Sequence, residues 1–333
     1  MKQKVRIIAE AGVNHNGDMN LARELVRQAA LAGADYIKFQ AFHPDYLVHP
    51  SAQTAPYQEA NTGGEKHQLD MLRKYALSAD QLLELKLYAQ ACKIDFVCSV
   101  FDLPSLAVLE ELKETTIKIP SGEIDHIPLL QAVAKLQAEV WLSTGMASMN
   151  EIRLAIETLL ASGLPPGNII LLQCHSQYPT LPQHANLKAL THLENFTGLP
   201  VGYSDHTQGI ACAIAAVALG AILLEKHFTL DNNLPGPDHS ASLNPTEFKN
   251  MVQAIREIES AMGDGIKKPE TEELLNKPFV RKGIYAKRDI KEGELLKPED
   301  LICLRPAQGR PASDWHFIAN TPALKAYKAY EPI

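Results

Sequence analysis

The most constraining feature of this 333-residue sequence is an alternation of short β-rich runs with amphipathic helical patterns. In the helical stretches, such as residues 20–32 and 78–92, apolar side chains recur every three or four positions, as one buried helix face requires. Eight strand–helix repeats over about 260 residues are typical of a TIM barrel. The predicted strands are residues 6–12, 36–42, 95–101, 116–122, 139–145, 168–176, 201–207 and 221–228, and further helices are predicted at 105–112, 149–162, 209–219 and 245–262.

An open, doubly wound sheet is the alternative for such an alternation. No G-x-G-x-x-G motif opens a predicted helix, and this favours the closed barrel. The least regular repeat is the sixth crossover, residues 183–196, where the helical pattern is short.

The character of the sequence changes after Met262. A charged stretch with glycine and proline predicts a linker at residues 266–278, following a barrel domain at residues 1–265. From residue 279 to 333, short β-type runs return at 283–286, 294–296 and 301–304. This segment is predicted to form a second, small and mostly β domain, whose core is marginal by itself because a short chain buries little apolar surface.

Composition narrows the classes of function. The formal charge of −7 argues against general nucleic-acid binding, because no net positive field attracts phosphate backbones. No apolar run approaches the ~18 residues of a membrane span, and the first residues lack a signal-peptide pattern. The five cysteines show neither CxxC spacing nor a disulfide framework. These features predict a cytoplasmic protein that binds neither nucleic acid nor a membrane.

Two histidines, His206 and His227, each close a predicted strand and lie one strand–helix repeat apart. In a parallel strand–helix–strand unit, both imidazoles would emerge at the same C-terminal edge, on neighbouring strands. Such a pair can hold a divalent metal with open coordination positions. The alternative is that both are ordinary strand-end histidines with satisfied ring nitrogens.

Polar residues gather at the same edge in the other predicted strands, which is where TIM barrels carry their chemistry. Lys38 and Gln40 share one face of the second strand, and Lys118 lies in the fourth. A buried lysine is costly unless it meets an anion, so two of them predict a ligand with phosphate or carboxylate. A structural ion pair and a Schiff-base lysine are the alternatives. Further candidates at this edge are Glu10, Ser99, Ser121, Glu123, Ser143, Ser176, Tyr178 and Ser204.

A rigid loop, Pro235-Gly-Pro-Asp-His239, follows the eighth predicted strand and carries the carboxylate of Asp238 at its tip. Such a loop suits the binding of sugar hydroxyls. The alternative is a tight turn with a solvated aspartate.

Seven motifs occur in order along the chain: Ile8-Ala-Glu-Ala-Gly-Val-Asn-His-Asn-Gly17, Lys38-Phe-Gln40, Lys118-Ile-Pro-Ser-Gly-Glu123, Ser143-Thr-Gly-Met146, Tyr203-Ser-Asp-His206, Glu225-Lys-His-Phe-Thr229 and Gly236-Pro-Asp238. Together they resemble the sialic acid synthases, the bacterial nonulosonic acid synthases that make N-acetylneuraminate, legionaminate or pseudaminate. The tail, residues 281–309, is similar to the antifreeze-like (SAF) domain of that family.

The resemblance implies a TIM barrel followed by a SAF domain, and a metal-dependent condensation of phosphoenolpyruvate with an N-acylated mannosamine-type sugar. Mn²⁺ suits two imidazoles with water and substrate oxygens, and Mg²⁺ or Co²⁺ are possible substitutes. The resemblance also implies a domain-swapped homodimer, in which Arg305 reaches the sugar bound by the partner chain.

Residue by residue, the resemblance gives His206 and His227 as metal ligands. It implies that Glu10 and Glu123 act near the reacting carbons, where either could orient water. The phosphoenolpyruvate-binding positions are matched by Lys38, Lys118, Ser121, Ser143 and Ser204, and the positions around the sugar by Gln40, Tyr178 and Asp238. The chain departs from the family pattern near two further positions: Ser99 keeps its hydroxyl although Val100 replaces a proline, and Ser176 stands where asparagine or threonine is common. Both serines are included in the predicted substrate site.

The expected reaction joins phosphoenolpyruvate, N-acetylmannosamine and water to give N-acetylneuraminate and phosphate, with C–O cleavage. The alternatives are a legionaminate synthase using 2,4-diacetamido-2,4,6-trideoxymannose and a pseudaminate synthase. A synthase acting on an aldose phosphate is a rival that would need a basic pocket for the second phosphate. A non-catalytic carbohydrate-binding relative would have lost a metal ligand or a lysine, and neither is lost here.

Overall fold

The computed structural model describes residues 4–54 and 67–333. The chain divides into two compact units, Met1–Gly263 and Asp264–Ile333, so the division comes just before the predicted domain end at residue 265. None of the helices in the described segments is long and apolar enough to cross a membrane.

Eight parallel strands close into a barrel in chain order, with β8 hydrogen-bonded to β1, and this closure excludes the doubly wound alternative. All eight strands predicted for the barrel are present, but several end earlier than predicted. The fourth ends before Pro120, which has no N–H to donate to a neighbouring strand. The strands are β1 Arg6–Gly12, β2 Tyr36–Ala41, β3 Asp95–Val100, β4 Thr116–Ile119, β5 Glu139–Ser143, β6 Ile169–Cys174, β7 Val201–Asp205 and β8 Leu223–His227.

Helices connect the strands around the outside of the barrel. The sixth crossover holds the short helix that the sequence predicts, preceded by a 3₁₀ turn at Pro182–His184. The helix between β4 and β5 was not predicted, although its apolar residues are buried against the barrel. In the described part of this unit the helices are α1 Met19–Ala32, α2 Pro44–Leu47, α3 Gln68–Tyr75, α4 Ala79–Ala91, α5 Leu103–Glu111, α6 Ile127–Lys135, α7 Met149–Ala161, α8 Ala189–Thr197, α9 Ala211–Ala218 and α10 Pro245–Ala261.

Local capping explains where several of these helices begin and end. The Asp18 carboxylate accepts a hydrogen bond from the Asn20 N–H at the start of α1, and Gly33 ends that helix at φ 88°, a conformation that favours glycine. Ser78 and Ser148 begin α4 and α7 with capping boxes.

The strands carry two layers of side chains into the barrel interior. Alternate residues of a strand share a face, so the residue two positions beyond a buried apolar one projects to the same side. Near the strand starts, an apolar plug is formed by Ile8, Val97, Trp141, Ile170, Leu172 and Leu223. Two residues beyond Ile8, Val97 and Leu223 come Glu10, Ser99 and Glu225. The register then sets Glu10 beside both Lys38 and His227, Ser99 beside Lys118, and Ser204 beside Glu225.

The second unit is small and has its own core. Strands β9 Gly283–Ala286 and β10 Leu301–Leu304 pair in antiparallel fashion, whereas the predicted run at 294–296 forms only an isolated bridge from Leu295 to Pro322. A ten-residue helix, α11 Thr271–Val280, begins inside the predicted linker and ends two residues beyond it, so this segment is not the irregular linker that the sequence predicted. A short helix, α12 Trp315–Ile318, follows β10. The core residues are Ile284, Ala286, Ile290, Leu296, Leu301, Ala323 and Tyr327.

Candidate active site

One cavity of about 510 Å³ opens at the C-terminal ends of the barrel strands. All fourteen candidate residues of the barrel line it: Glu10, Lys38, Gln40, Ser99, Lys118, Ser121, Glu123, Ser143, Ser176, Tyr178, Ser204, His206, His227 and Asp238. The remaining candidate, Arg305, lies in the second unit and is exposed. The structure therefore gathers the predicted barrel residues, while the role of each remains a prediction.

Two buried lysines lie at the bottom of this cavity among carboxylates. Lys38 Nζ lies 3.0 Å from Glu10 Oε2 and 3.4 Å from Glu225 Oε1, and it donates to Ser99 Oγ at 2.8 Å. Lys118 Nζ lies 3.6 Å from Glu225 Oε2. The ion-pair alternative for the lysines is thus present in this structure. It is compatible with anion binding, because both lysines also line the cavity.

The electrostatics of this cluster follow from burial and from the charges on neighbouring groups. Burial lowers the pKa of Lys118, whereas for Lys38 the carboxylates of Glu10 and Glu225 outweigh burial and raise the pKa. Burial raises the pKa of Glu10. For Glu225 burial acts in the same direction, but the two lysines outweigh it and lower the pKa. The cluster therefore keeps one firmly ionised carboxylate and one that can carry a proton.

Glu225 has no role in the sequence prediction, although it contacts both lysines and accepts a hydrogen bond from Ser204 Oγ at 3.0 Å. Its spacing two residues before His227 placed it on the cavity face. The sequence does not show that its partners would be lysines on β2 and β4, which lie far away along the chain.

Hydroxyl groups line one side of the cavity. Within the described residues, Ser143 Oγ is buried without a hydrogen-bond partner, so it is available to a ligand. Ser121 Oγ accepts a hydrogen bond from the Gly145 N–H at 3.0 Å. A Cβ at Gly145 would lie 2.8 Å from Ser121 Oγ and would also collide with Ser176 Oγ, so a glycine is required where these serines converge.

The two strand-end histidines face each other, with ring centroids 5.5 Å apart. His206 Nδ1 donates to the His175 carbonyl at 2.6 Å, which directs Nε2 toward the cavity. The Tyr178 ring lies 4.1 Å from the His206 ring, centroid to centroid. Burial lowers the pKa of His206 to about 4 and that of His227 well below its usual range, so both imidazoles are neutral, the form that ligates metals.

The donor set fits a divalent metal with few protein ligands. Among the described residues, His227 Nδ1 is buried without a hydrogen-bond partner and lies 4.0 Å from Asp238 Oδ2. The same part of the chain contains no group of three or more histidine, cysteine or acidic side chains arranged to hold a metal ion. Two imidazoles would therefore hold the metal, and water and substrate oxygens would complete its coordination.

Further carboxyl groups with raised pKa values line the cavity, namely those of Asp238 and Glu123. Burial raises the pKa of Asp238 to about 6. Burial also raises the pKa of Glu123, although His126 opposes the shift through a 2.7 Å contact between its Nδ1 and Glu123 Oε2. Gln40 Nε2 lies 3.4 Å from Glu10 Oε1. Carboxyl groups with raised pKa values such as Asp238 and Glu123 are candidates for proton exchange with a substrate.

Comparison with known proteins identifies the family. The NeuB family model matches residues 25–267, most of the chain, and the SAF domain model matches residues 281–326. The chain belongs to the NeuB family. The expected resemblance to the sialic acid synthases is thus confirmed, and so are the TIM-barrel fold and the SAF tail.

Two relatives of this chain are both named N,N'-diacetyllegionaminic acid synthase. The N,N'-diacetyllegionaminic acid synthase of Campylobacter jejuni is 47% identical over 99% of both chains. The synthase of that name from Legionella pneumophila is 44% identical over 95% of this chain and 89% of its own. A crystal structure of the Leptospira borgpetersenii N-acetylneuraminic acid synthetase with citrate matches at a TM-score of 0.72 and 35% identity, covering 82% of this chain and 90% of that one. This NeuB-family chain is an enzyme, a transferase of the nonulosonic acid synthase type.

Proposed function

We propose that this protein is an N,N'-diacetyllegionaminate synthase, which condenses phosphoenolpyruvate with 2,4-diacetamido-2,4,6-trideoxymannose and water and releases phosphate. The observation that carries the proposal is 47% and 44% identity, along nearly the whole chain, to two synthases of that product. This revises the order of the sequence-based expectation, which put N-acetylneuraminate first. N-acetylneuraminate remains the second candidate because of the Leptospira structure.

The cavity supports a sugar without phosphate. Among its lining residues in the described segments, the lysine and arginine side chains are Lys38 and Lys118, and both lie in the carboxylate cluster. A sugar phosphate would need a further cationic group for its second phosphate. The rival that acts on an aldose phosphate is therefore disfavoured.

In the proposed reaction, Lys38 and Lys118 bind the phosphate and carboxylate of phosphoenolpyruvate, with hydroxyl donors from Ser143 and neighbouring serines. C3 of phosphoenolpyruvate attacks the aldehyde carbon of the open-chain sugar, whose oxygen takes up a proton. Water, oriented by Glu10 or Glu123, adds at C2 and loses a proton. In the tetrahedral intermediate, the new C2 hydroxyl loses its remaining proton to become the keto oxygen, and the C2–O bond to the phosphate group breaks to release inorganic phosphate.

The proposal includes a divalent metal held by His206 and His227, with Mn²⁺ first and Mg²⁺ or Co²⁺ as substitutes. When bound, such a metal supplies Lewis-acid polarisation of an oxygen ligand. Around it, Tyr178 packs on the His206 ring, and the His175 carbonyl holds that ring in place.

We further propose that the protein forms the domain-swapped homodimer that the family resemblance implies, in which Arg305 of one chain contacts the sugar bound by the other chain. The exposure of Arg305 is compatible with such a contact. We also propose that the enzyme acts in the cytoplasm.

The test of the reaction is release of inorganic phosphate from phosphoenolpyruvate with a panel of sugars and a divalent metal. The panel contains the 2,4-diacetamido-2,4,6-trideoxy sugar, N-acetylmannosamine and N-acetylmannosamine 6-phosphate. The proposal expects the highest kcat/KM for the first, with mass spectrometry showing the diacetamido nine-carbon acid. A higher kcat/KM for N-acetylmannosamine would establish the second candidate instead.

A further inference from the structure

An apolar surface forms part of the cavity, away from the charged cluster. It consists of Val13, Phe42, Met71, Leu72 and Tyr75, which are buried in one cluster and also line the cavity; we call it the apolar wall. Each of the five side chains is at most 9% exposed. The wall is therefore a packed surface that a ligand contacts from the cavity side.

The wall lies at the outer end of the cavity. Val13 and Phe42 come just after the last residues of β1 and β2, and the other three members lie on α3. Lys38 and Lys118 lie within strands, deeper in the barrel. If the lysines hold phosphoenolpyruvate, the sugar lies between it and the wall. The end of the sugar farthest from phosphoenolpyruvate then faces the wall.

The chemistry of the wall selects an uncharged and weakly hydrated group. Burying a hydroxyl against apolar side chains without a hydrogen-bond partner is unfavourable, whereas burying a methyl group is favourable. Gln68 also lines the cavity from the first residue of α3, and its carboxamide can pair with an amide group.

In the proposed condensation C1 of the sugar reacts, so C6 is the carbon farthest along the chain from the reacting end. The 2,4-diacetamido-2,4,6-trideoxy sugar carries a methyl group at C6 and an acetamido group at C4, where N-acetylmannosamine carries hydroxyls at both carbons. We propose that the apolar wall is the subsite for this C4–C6 end, and that Met71 and Leu72 select the 6-deoxy sugar over N-acetylmannosamine. This inference rests on the proposed function and adds the residues that set its specificity.

The test uses the full-length variants Met71→Gln and Leu72→Gln, with Leu69→Gln as the matched control. Leu69 is also buried on α3, but it does not line the cavity. Met71→Leu keeps an apolar side chain of similar volume and is the conservative variant. For each protein, kcat/KM is measured with both sugars, the KM for phosphoenolpyruvate is recorded, and thermal unfolding reports folding.

The specificity ratio is kcat/KM for the 6-deoxy sugar divided by kcat/KM for N-acetylmannosamine. We expect this ratio to fall by about 10-fold or more in Met71→Gln or Leu72→Gln, because one methyl group in an apolar pocket contributes an effect of that order. The ratio should stay unchanged in Leu69→Gln and Met71→Leu, and so should the KM for phosphoenolpyruvate in folded variants. An unchanged ratio in both glutamine variants, while the wild type turns over the 6-deoxy sugar, would overturn the subsite and leave the proposed function standing.

Equilibrium binding separates the two proposals. Calorimetric titration of the wild type with each sugar, in the presence and absence of phosphoenolpyruvate, should show tighter binding of the 6-deoxy sugar, and Met71→Gln should remove the difference. Selective binding without phosphate release would contradict the proposed function while supporting the subsite. Equal binding of both sugars by the wild type would contradict the subsite.

Discussion

Lys226 Nζ lies 2.8 Å from Asp205 Oδ2, and neither side chain is exposed to solvent. The two residues are register partners on β7 and β8, and the other carboxylate oxygen of Asp205 accepts hydrogen bonds from the Thr207 N–H and hydroxyl. Asp205 directly precedes His206, and Lys226 directly precedes His227. The ion pair lies on the outer face of the sheet. It therefore stabilises the relative position of the two strand ends that carry the histidines.

The first prediction concerns this buried pair. Lys226→Met should lower the free energy of unfolding by about 3–5 kcal/mol, because it leaves an uncompensated buried carboxylate. Urea unfolding followed by circular dichroism measures the change. Arg153→Met is the control, since its pair with Glu157 is exposed and should contribute less than about 1 kcal/mol. Equal losses in the two variants would contradict a structural role for the Asp205–Lys226 pair.

The second prediction concerns the metal. Dialysis against a chelator should abolish phosphate release, and Mn²⁺ should restore it. His206→Ala and His227→Ala should each weaken Mn²⁺ binding, as measured by electron paramagnetic resonance. The loss should exceed the ~10–100-fold loss of affinity that follows when a residue that only supports a metal ligand is removed. His192→Ala, an exposed histidine on α8, should bind as the wild type does. Full activity of the metal-free enzyme would remove the metal from the mechanism.

The third prediction concerns pH. His126 opposes the burial that raises the pKa of Glu123, so His126→Ala should raise that pKa further. A higher pKa means that the carboxylate form is lost at a higher pH as the solution is acidified. If Glu123 orients water as the carboxylate, the acid limb of the kcat profile should move to higher pH, and activity at a fixed pH on that limb should fall. An acid limb that stays in place would argue for Glu10 in that role.

The fourth prediction concerns the bond that breaks. In the proposed reaction, water must reach C2 to complete the keto acid and the lysines would hold phosphate as a leaving group, so C–O cleavage is expected. Phosphoenolpyruvate with ¹⁸O in the bridging position should deliver the label to inorganic phosphate, as detected by ³¹P NMR. Label found at C2 of the first-formed sugar acid would mean attack at phosphorus, and the roles given to Lys38 and Lys118 would have to be withdrawn.

The fifth prediction concerns Arg305. If one chain supplies this arginine to the other, Arg305→Ala and Lys118→Ala homodimers should both be inactive. Mixed dimers should recover part of the activity, because one of their two sites has both residues intact. Differently tagged chains allow the mixed species to be purified and assayed. Absence of recovery in purified mixed dimers would indicate that Arg305 acts within its own chain or not at all.

Much of the fold and most of the candidate site could be predicted from the sequence because they depend on local periodicity. The alternation of strands and helices predicted the barrel, and spacing by two residues placed Lys38 with Gln40 and Ser204 with His206 on one face. The tail was harder to predict. A charged segment with glycine and proline predicted a linker, but most of α11 lies in it, and that helix begins with a capping box formed by Glu270 and Glu273.

The sequence by itself determined which strand residues face the cavity, because the position of a side chain along a strand sets its face and its height. Only the tertiary structure decided which of them meet. Glu225 pairs with Lys38 and Lys118, and Asp205 pairs with Lys226, because barrel closure and strand register bring together residues far apart in the chain. The apolar wall likewise exists only because α3 packs against residues that follow β1 and β2. Such pairings depend on distances between elements, which no local sequence pattern contains.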